Sequence, residues 1–307
     1  MTRARVACAL AALGVVATTA GQANATLLAA RLSRALTVPG IAWRSTGALA
    51  LDLETGALVF RRNGRVPLRP ASNEKLVVAL AALDRLGPRF RIPTRVFGEG
   101  SLDGSVWRGR LVLKGYGDPA LGREDLAVLA RRLEAAGVRR VTGGIVADET
   151  YFDARRTAPG WKPSFYRFEC PPLSALVVNR ARVAGRVVDD PALAAARLFR
   201  AAVVAEGIRI RPGVVRGRVE ATAKRLAEVV SPRLSALVHR MDRESDNFVA
   251  EMLLKGLGAR EHGRGTTAAG ALVARAEALE ERFGDEVVAL AIHAANERRN
   301  WGRDDLR

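Results

Sequence analysis

The sequence predicts a mixed α/β (α+β) fold in which a β-rich segment is inserted between a hairpin with its helix and a later pair of helices. Three observations support this prediction. Apolar and polar residues alternate over residues 47–61, which is typical of strands. Short apolar stretches broken by glycine fill the range Arg95–Val219. Two long helical patterns follow this range.

The first elements are a hairpin and a helix. The stretch GALALDLETGALVFR alternates on both sides of ETG, so it predicts two strands joined by a tight turn. The stretch RPASNEKLVVALAALDRLGP then predicts a helix from about Ser72 to Leu86. Gly87 and Pro88 follow it and are the residues expected just after a helix end.

The β-rich range contains two predicted helices, Arg123–Ala136 and Pro191–Glu206. Asp190 is placed to cap the second helix, and Gly207 is placed to end it. Beyond the β-rich range, SPRLSALVHRMDRESDNFVAEMLLKGLG predicts two helices that meet near residues 242–245. No internal repeat or low-complexity linker interrupts the chain.

The first 25 residues are typical of a secretory signal peptide. Arg3 and Arg5 precede a small and apolar run, Val6–Ala20, and Ala23 and Ala25 form a small-x-small cleavage pattern. The run is shorter than the roughly 20 residues that a spanning helix needs. We therefore expect Sec-type export to a periplasmic or extracellular location.

The high positive charge permits attraction to an anionic cell envelope but does not indicate a nucleic-acid partner. The formal net charge is +17, yet only five of the 49 basic residues are lysine, which favours codon bias as the cause. Aromatic residues make up 5% of the chain and do not interleave with basic runs, so the stacking surface of a single-strand binder is missing. The sequence does not indicate an oligomeric state.

Neither a cofactor nor a metal is predicted. Cys8 would leave with the signal peptide, so Cys170 is expected to be a buried thiol without a disulfide partner. The sequence contains no phosphate-binding Gly-Lys-Ser/Thr, no Gly-x-Ser-x-Gly, and no Cys/His cluster at ligand spacing.

Ser72 and Lys75 form the first candidate catalytic pair. Residues three apart on a helix share a face, with about 5 to 6 Å between their Cβ atoms. A serine is a good nucleophile only when a base removes its proton, and a lysine accepts one only when neutral. Burial and the positive end of the helix dipole favour the neutral amine. Glu74 is rotated by about 100°, so we expect it not to oppose this effect. Alternatively, Ser72 caps the helix.

The stretch ESDNFVAE provides the second candidate group. Ser245 offers a hydroxyl for proton relay, and Asn247 offers an amide that can orient a lysine or bind a substrate carbonyl. Alternatively, Ser245 or Asp246 caps the second helix, and both interpretations are compatible.

Together these motifs resemble those of the low-molecular-mass penicillin-binding proteins, the D-alanyl-D-alanine carboxypeptidases and endopeptidases that carry a large insert. The resemblance covers roughly residues 48–270. Seven blocks fall in the order and approximate spacing of that family: LRPASNEKL, LVLKGYGDPAL, GGIVADETYFD, PGW, PPLSALVVNRAR, SPRLSALV and ESDNFVAE. Seven blocks are far more specific than either short motif.

The resemblance implies a penicillin-binding/β-lactamase-like core, split by the insert, and a serine peptidase acting on peptidoglycan stem peptides. It implies Ser72 as the acylated nucleophile, Lys75 as its base, Ser245 as the relay and Asn247 as a substrate-binding residue. It also implies β-lactams as inhibitors that acylate Ser72.

The sequence departs from the family in its third motif. Lys-Thr-Gly and Lys-Ser-Gly are absent, and Arg264, Gly265 and Thr266 form the nearest basic-Gly-Thr cluster in the wrong order. Residues 271–307 match nothing expected of the family, which suggests an incomplete core with a truncated or frameshifted C-terminus. The alternative function is therefore a catalytically inactive, wall-associated fragment.

The expected domain organisation follows from the motifs. It comprises a signal peptide (1–25), a first core part with the Ser-x-x-Lys helix (26–95), a β-rich insert (96–225), a second core part with Ser-Asp-Asn (226–270) and an atypical tail (271–307).

Overall fold

The computed structural model describes residues 26–40, 42–52, 54–165 and 169–279. The predicted signal peptide and the tail beyond residue 279 lie outside these ranges. The chain divides into two compact units, residues 1–69 and residues 70–307. Within the described ranges, none of the helices combines the length and apolar character needed to cross a bilayer.

The first unit contains the predicted hairpin. Residues 26–35 form helix α1. Strands β1 (Ala48–Leu51) and β2 (Leu58–Arg62) then pair antiparallel. The Asp52 carboxylate accepts hydrogen bonds from the N–H groups of Glu54 and Thr55, which closes the turn. The prediction of two strands around ETG is confirmed.

The second unit begins with the helix that carries the Ser-x-x-Lys motif. A single 3₁₀ turn, Ala71–Asn73, leads into α2 (Glu74–Leu86), so the predicted helix is confirmed with a tighter first turn. Apolar residues on one side of α2 are buried, namely Val78, Ala79, Ala81 and Ala82. The helix ends at Gly87, whose φ of 82° is a conformation that favours glycine.

A mixed sheet follows α2. The strands are β3 (Pro93–Asp103), β4 (Val106–Gly115), β5 (Arg140–Val141), β6 (Ile145–Asp148), β7 (Arg182–Val183), β8 (Arg186–Val187), β9 (Arg209–Ile210), β10 (Val214–Arg216) and β11 (Lys224–Val230). The main path runs β10-β6-β4-β3-β11, with β5 beside β4 and β9 beside β5, whereas β7 and β8 form a separate pair. Strand β3 runs antiparallel to both of its neighbours, β4 and β11, and β6 runs parallel to β4.

Two helices cover this sheet. They are α3 (Arg123–Ala135) and α4 (Pro191–Ala205), which begin where predicted and end one residue earlier. The Asp190 side chain accepts a hydrogen bond from the Leu193 N–H, so its predicted capping role is confirmed. The two helices and the sheet share one core, which includes Leu111, Leu113, Leu129, Leu133, Ile145 and Phe199. Residues 96 and 225, the predicted limits of the insert, lie within β3 and β11, and the division into domains stays a prediction.

Three helices complete the described chain: α5 (Leu234–Glu244), α6 (Asn247–His262) and α7 (Thr267–Leu279). Helices α5 and α6 meet at residues 245 and 246, as predicted. Helix α7 packs against α2 and α6, and Arg85 Nε of α2 lies 2.7 Å from the buried Glu277 Oε2 of α7. Residue 270, the predicted tail boundary, therefore lies within α7. This helix is part of the core, because Val273 and Ala274, which follow the boundary, are buried.

Helix α7 offers a matched test of this packing. We expect Val273→Ala to lower the free energy of unfolding by about 1–2 kcal/mol, because two methyl groups leave a buried position. Val273 is 5% exposed and its neighbour Leu272 is 60% exposed. Leu272→Ala should change the free energy of unfolding by less than about 0.5 kcal/mol. Urea unfolding measures both, and equal effects would contradict the packing of α7.

Candidate active site

Three predicted side chains meet at one point of the second unit. Lys75 Nζ lies 3.0 Å from Ser72 Oγ and 3.4 Å from Ser245 Oγ. Ser245 Oγ lies 2.8 Å from Ser72 Oγ. Each group is therefore within hydrogen-bonding distance of the other two, although Ser72 and Ser245 are far apart in sequence.

The backbone before α2 presents Ser72 to solvent. Ala71 has a φ of 48°, a left-handed conformation that costs a non-glycine residue about 1–3 kcal/mol. Ser72 then lies in the 3₁₀ turn and is exposed, whereas Lys75, one turn later, is 7% exposed. The N-terminus of α2 has no side-chain cap, and the Ser72 hydroxyl contacts Lys75 and Ser245 instead. The structure therefore does not support the capping interpretation of Ser72.

A second left-handed residue presents Ser245. Its φ of 53° and ψ of 43° end α5 and turn the hydroxyl toward Ser72. Asp246 caps α6, because its carboxylate accepts a hydrogen bond from the Val249 N–H at 3.1 Å. The predicted helix cap is therefore Asp246, and it directly follows Ser245, the residue predicted as the relay.

Burial lowers the pKa of Lys75 from its ordinary value of 10.5. Negative charge opposes this effect in the order Asp246, Cys170, Glu74 and Asp242. The expectation that Glu74 does not oppose burial is thus wrong, because its charge acts through space although its side chain is rotated around the helix. Glu74 ranks behind Asp246 and Cys170, and the net direction remains downward.

Arg180 pairs with Asp246, the carboxylate whose charge acts most strongly on the pKa of Lys75. Its Nη1 lies 2.5 Å from Asp246 Oδ2 and its Nη2 lies 3.0 Å from Asp246 Oδ1, which is a bidentate pair. Although burial raises the pKa of Asp246, hydrogen bonds from Arg180 and the Val249 N–H lower it overall. Arg180 also has a left-handed backbone and stacks over the Phe248 ring. Sequence reasoning missed this pair, and only the family block containing Asn179 and Arg180 pointed to the segment.

Asn247 lies beside a buried thiol. Cys170 is buried and without a disulfide, as predicted, and burial raises its pKa to about 11. The Asn247 side chain hydrogen-bonds this sulfur, which partly offsets the burial, and Lys75 acts in the same direction through its charge. The structure therefore brings Ser72, Lys75 and Ser245 into mutual contact, whereas Asn247, the first residue of α6, lies beside Cys170.

The nearest substitute for the third motif has a structural role. The Thr266 hydroxyl accepts a hydrogen bond from the Ala269 N–H, so Thr266 caps α7. Gly265 packs so closely on Tyr151 and Phe152 that a Cβ would meet the Tyr151 carbonyl oxygen at 2.1 Å. No cluster of potential metal ligands occurs among the described residues.

The chain matches the family model described as the D-Ala-D-Ala carboxypeptidase 3 (S13) family over residues 28–188 and 179–292. The match continues past residue 270, so the expectation that the segment from residue 271 matches nothing in the family is wrong. Residues 271–279 lie in α7, whose packing on α2 gives a physical reason for this.

Two curated relatives are similar over much of the chain. It is 30% identical over 318 residues to the D-alanyl-D-alanine carboxypeptidase of Actinomadura sp. (strain R39), covering 78% of this chain and 59% of the relative. It is 30% identical over 248 residues to carboxypeptidase DacB of Mycolicibacterium smegmatis, covering 74% and 51%. The chain thus spans between half and three fifths of the length of these relatives.

The fold is similar to that of penicillin binding protein 4 (dacB) from Haemophilus influenzae. The TM-score is 0.69 at 18% sequence identity, with 83% of this chain and 76% of that chain covered. A second crystal structure of that protein, complexed with a β-lactam, gives a TM-score of 0.62, with 77% and 67% covered. The predicted α/β penicillin-binding fold is confirmed.

The Arg180 pair generates a stability prediction. We expect Arg180→Gln to lower the free energy of unfolding at pH 7 by about 1–3 kcal/mol, because a buried carboxylate loses its charged partner. The pKa of Asp246 is lowered in the folded state, so its contribution is present above the unfolded pKa near 4 and is lost below it. Urea unfolding at pH 7 and near pH 3 should therefore give a smaller difference from wild type at the lower pH.

The matched control is Arg108→Gln, which breaks an exposed pair with Asp103 and should have little effect at either pH. An Arg180→Gln effect that equals the control at pH 7 would rule out a stabilising role for the pair.

Proposed function

Because the chain belongs to the D-Ala-D-Ala carboxypeptidase 3 (S13) family, we propose that it is a serine peptidase that cleaves D-alanyl-D-alanine peptides of peptidoglycan, as a carboxypeptidase or endopeptidase. The observation that carries the proposal is the mutual contact of Ser72, Lys75 and Ser245, with an exposed hydroxyl above a buried amine. A nucleophile held against a base of lowered pKa is what acyl transfer requires.

In the first step, neutral Lys75 takes the Ser72 proton as Ser72 Oγ attacks the carbonyl carbon of the penultimate D-alanine. The C–N bond to the terminal D-alanine then breaks, and the departing nitrogen receives a proton from the Lys75 ammonium, directly or through Ser245. The product is an ester on Ser72. Water then attacks this ester, with Lys75 again accepting a proton, and releases the shortened peptide with Ser72 restored.

Two further groups of the chain serve this reaction. The exposed position of Ser72 at the start of a helix leaves its own backbone N–H available to stabilise the oxyanion of the tetrahedral intermediate. Asn247, half-buried beside Cys170, is the proposed binding residue for a substrate carbonyl.

A β-lactam is a strained acyl donor that Ser72 would attack in the same way. The β-lactam complex of the structurally similar Haemophilus influenzae protein supports this proposal. When the β-lactam ring opens, its nitrogen stays attached to the acyl group, so no amine departs. A stable ester on Ser72 therefore accumulates, and its amount is a direct readout of acylation.

The second candidate function is an inactive wall-associated fragment, which the absence of Lys-Thr-Gly and Lys-Ser-Gly from the sequence suggests. The family match and the contact of the nucleophile with its base favour the peptidase over this alternative. We propose export through residues 1–25 and wall association aided by the net charge of +17. The division at residues 95, 225 and 270 also remains a proposal.

Labelling with a fluorescent penicillin tests the function. We expect a covalent label on the wild-type protein and none on Ser72→Ala, because the ester oxygen comes from Ser72. Denaturing gel electrophoresis with in-gel fluorescence measures the label. The control Ser235→Ala removes another exposed hydroxyl and should retain full labelling. A folded wild-type protein that takes no label would instead favour the inactive fragment.

The pH dependence of labelling tests the role of Lys75. Only the neutral amine accepts a proton, so the acylation rate should rise with pH to a plateau, with a midpoint below 10.5, since burial lowers the pKa of Lys75. Asp246→Asn should move the midpoint to lower pH, because it removes the largest charge that favours the ammonium. Stopped-flow or quenched labelling across pH measures both profiles.

Asparagine still caps a helix, so α6 should persist in this variant. Asp103→Asn, which removes an exposed carboxylate elsewhere, should leave the midpoint unchanged. A midpoint that rises in Asp246→Asn would contradict the assignment of the profile to Lys75.

A further inference from the structure

A second cleft lies at the far ends of the two helices that carry the candidate active site. It has a volume of about 360 Å³ and is bounded by Leu86 of α2, Gly256 and Arg260 of α6, and Arg95 and Tyr116 of the sheet. Leu86 is 11 residues beyond Lys75 and Gly256 is nine beyond Asn247, which corresponds to roughly 14–17 Å of helix. Met252 is the lining residue of α6 closest to Asn247 in sequence, five residues beyond it, which corresponds to roughly 8 Å of helix. Neither Asn247 nor any of Ser72, Lys75 and Ser245 lines the cleft.

The walls of the cleft combine apolar and aromatic surface with four charged side chains. Phe90, Tyr116 and Tyr151 supply rings, and the centroids of the two tyrosine rings lie 5.1 Å apart. The volume is near the lower end of the roughly 300–1,000 Å³ that small-molecule sites occupy. These dimensions suit a small ligand with an apolar body.

The charges of the cleft favour an anion. Three arginines line it against a single carboxylate, that of Glu228, whose Oε2 already pairs with Arg95 Nε at 2.5 Å. The Arg91 side chain donates to the Ser231 carbonyl oxygen, which does not neutralise its charge. Arg260 lies over the Phe90 ring and has no carboxylate partner among the described residues. Its guanidinium is thus oriented at the cleft without a neutralising charge.

Tyr151 supplies a donor beside Arg260. Burial raises the pKa of Tyr151, and the nearby Arg260 charge partly offsets this. Its half-buried hydroxyl remains protonated at neutral pH and forms no hydrogen bond within the described part of the chain. Arg260 and Tyr151 both line the cleft, and a guanidinium with a hydroxyl can bind a carboxylate or a phosphate.

We propose that this cleft is a second, non-catalytic site that binds a small organic anion with an apolar body, with the anionic group on Arg260 and Tyr151. The proposal goes beyond the peptidase function and does not rest on it, because the lining of the cleft includes none of Ser72, Lys75 and Ser245. The anionic group of such a ligand is either a carboxylate or a phosphate monoester.

Calorimetric titration of the full chain tests the site with two probes. Phenylsuccinate supplies carboxylates on an apolar body without a D-alanyl-D-alanine end, and phenyl phosphate supplies a phosphate monoester on an apolar body. We expect saturable binding of at least one probe, and the tighter probe identifies the source. The neutral diamide of phenylsuccinate should bind at least tenfold more weakly than the acid.

Matched variants locate the binding. Arg260→Gln should weaken the tighter probe about tenfold, whereas Arg89→Gln, an exposed arginine outside the cleft, should leave it unchanged. Tyr151→Phe provides a second, milder variant that should weaken binding several-fold. Protein acylated with penicillin should bind the probe as the free protein does.

Equal binding by the two arginine variants, equal binding of the diamide, or loss of binding on acylation would each overturn the proposal. Penicillin labelling is scored separately. Probe binding without labelling would retain the second site and reject the peptidase, whereas labelling without Arg260-dependent probe binding would do the reverse.

Discussion

Lys75 is an amine buried one helical turn from an exposed serine hydroxyl, and the chemistry proposed for this chain depends on the cost of keeping that amine charged. Burial disfavours the ammonium, whereas the surrounding carboxylates favour it, and burial has the larger effect. The serine supplies an accessible oxygen. Burial shifts the lysine toward its neutral form, which can accept a proton. Neither residue alone would be useful for acyl transfer.

The fold holds this pair in place from three directions. Helix α2 carries both residues, and α7 packs along it through buried apolar contacts and the Arg85–Glu277 pair. The junction of α5 and α6 brings Ser245 to the same point through a left-handed residue. Arg180 links this junction to the segment that precedes β7 by binding Asp246. The unfavourable backbone conformations at residues 71 and 245 therefore lie at the two positions where the backbone directs the side chains of Ser72 and Ser245.

The sequence predicted those parts of the molecule that depend on local pattern. Periodicity located the hairpin and α2 to α6, and three-residue spacing placed Ser72 and Lys75 on one helix face, because both properties follow from short-range geometry. The family blocks also pointed to Ser245. Asn247 was singled out by type, but its contact with Cys170 depends on how distant segments pack.

Other features could not be predicted from the sequence, because they depend on interactions that local sequence pattern does not reveal. The Arg180–Asp246 pair joins residues 66 positions apart, and nothing in the pattern around either residue identifies the partner. The role of α7 was missed because the polar residues that follow it dominate the composition of the last segment. The opposing effect of Glu74 was missed because rotation about a helix axis does not remove a charge–charge interaction.

The most direct test of this account is the titration of Lys75 itself, by NMR of protein carrying lysine labelled with ¹³C at the ε position. The chain has five lysines, so Lys75→Arg assigns the signal by its disappearance. The account predicts that the Lys75 signal titrates at a pH below 10.5, the ordinary value for a lysine. A Lys75 signal that titrates at or above 10.5 would contradict a neutral amine as the base for Ser72.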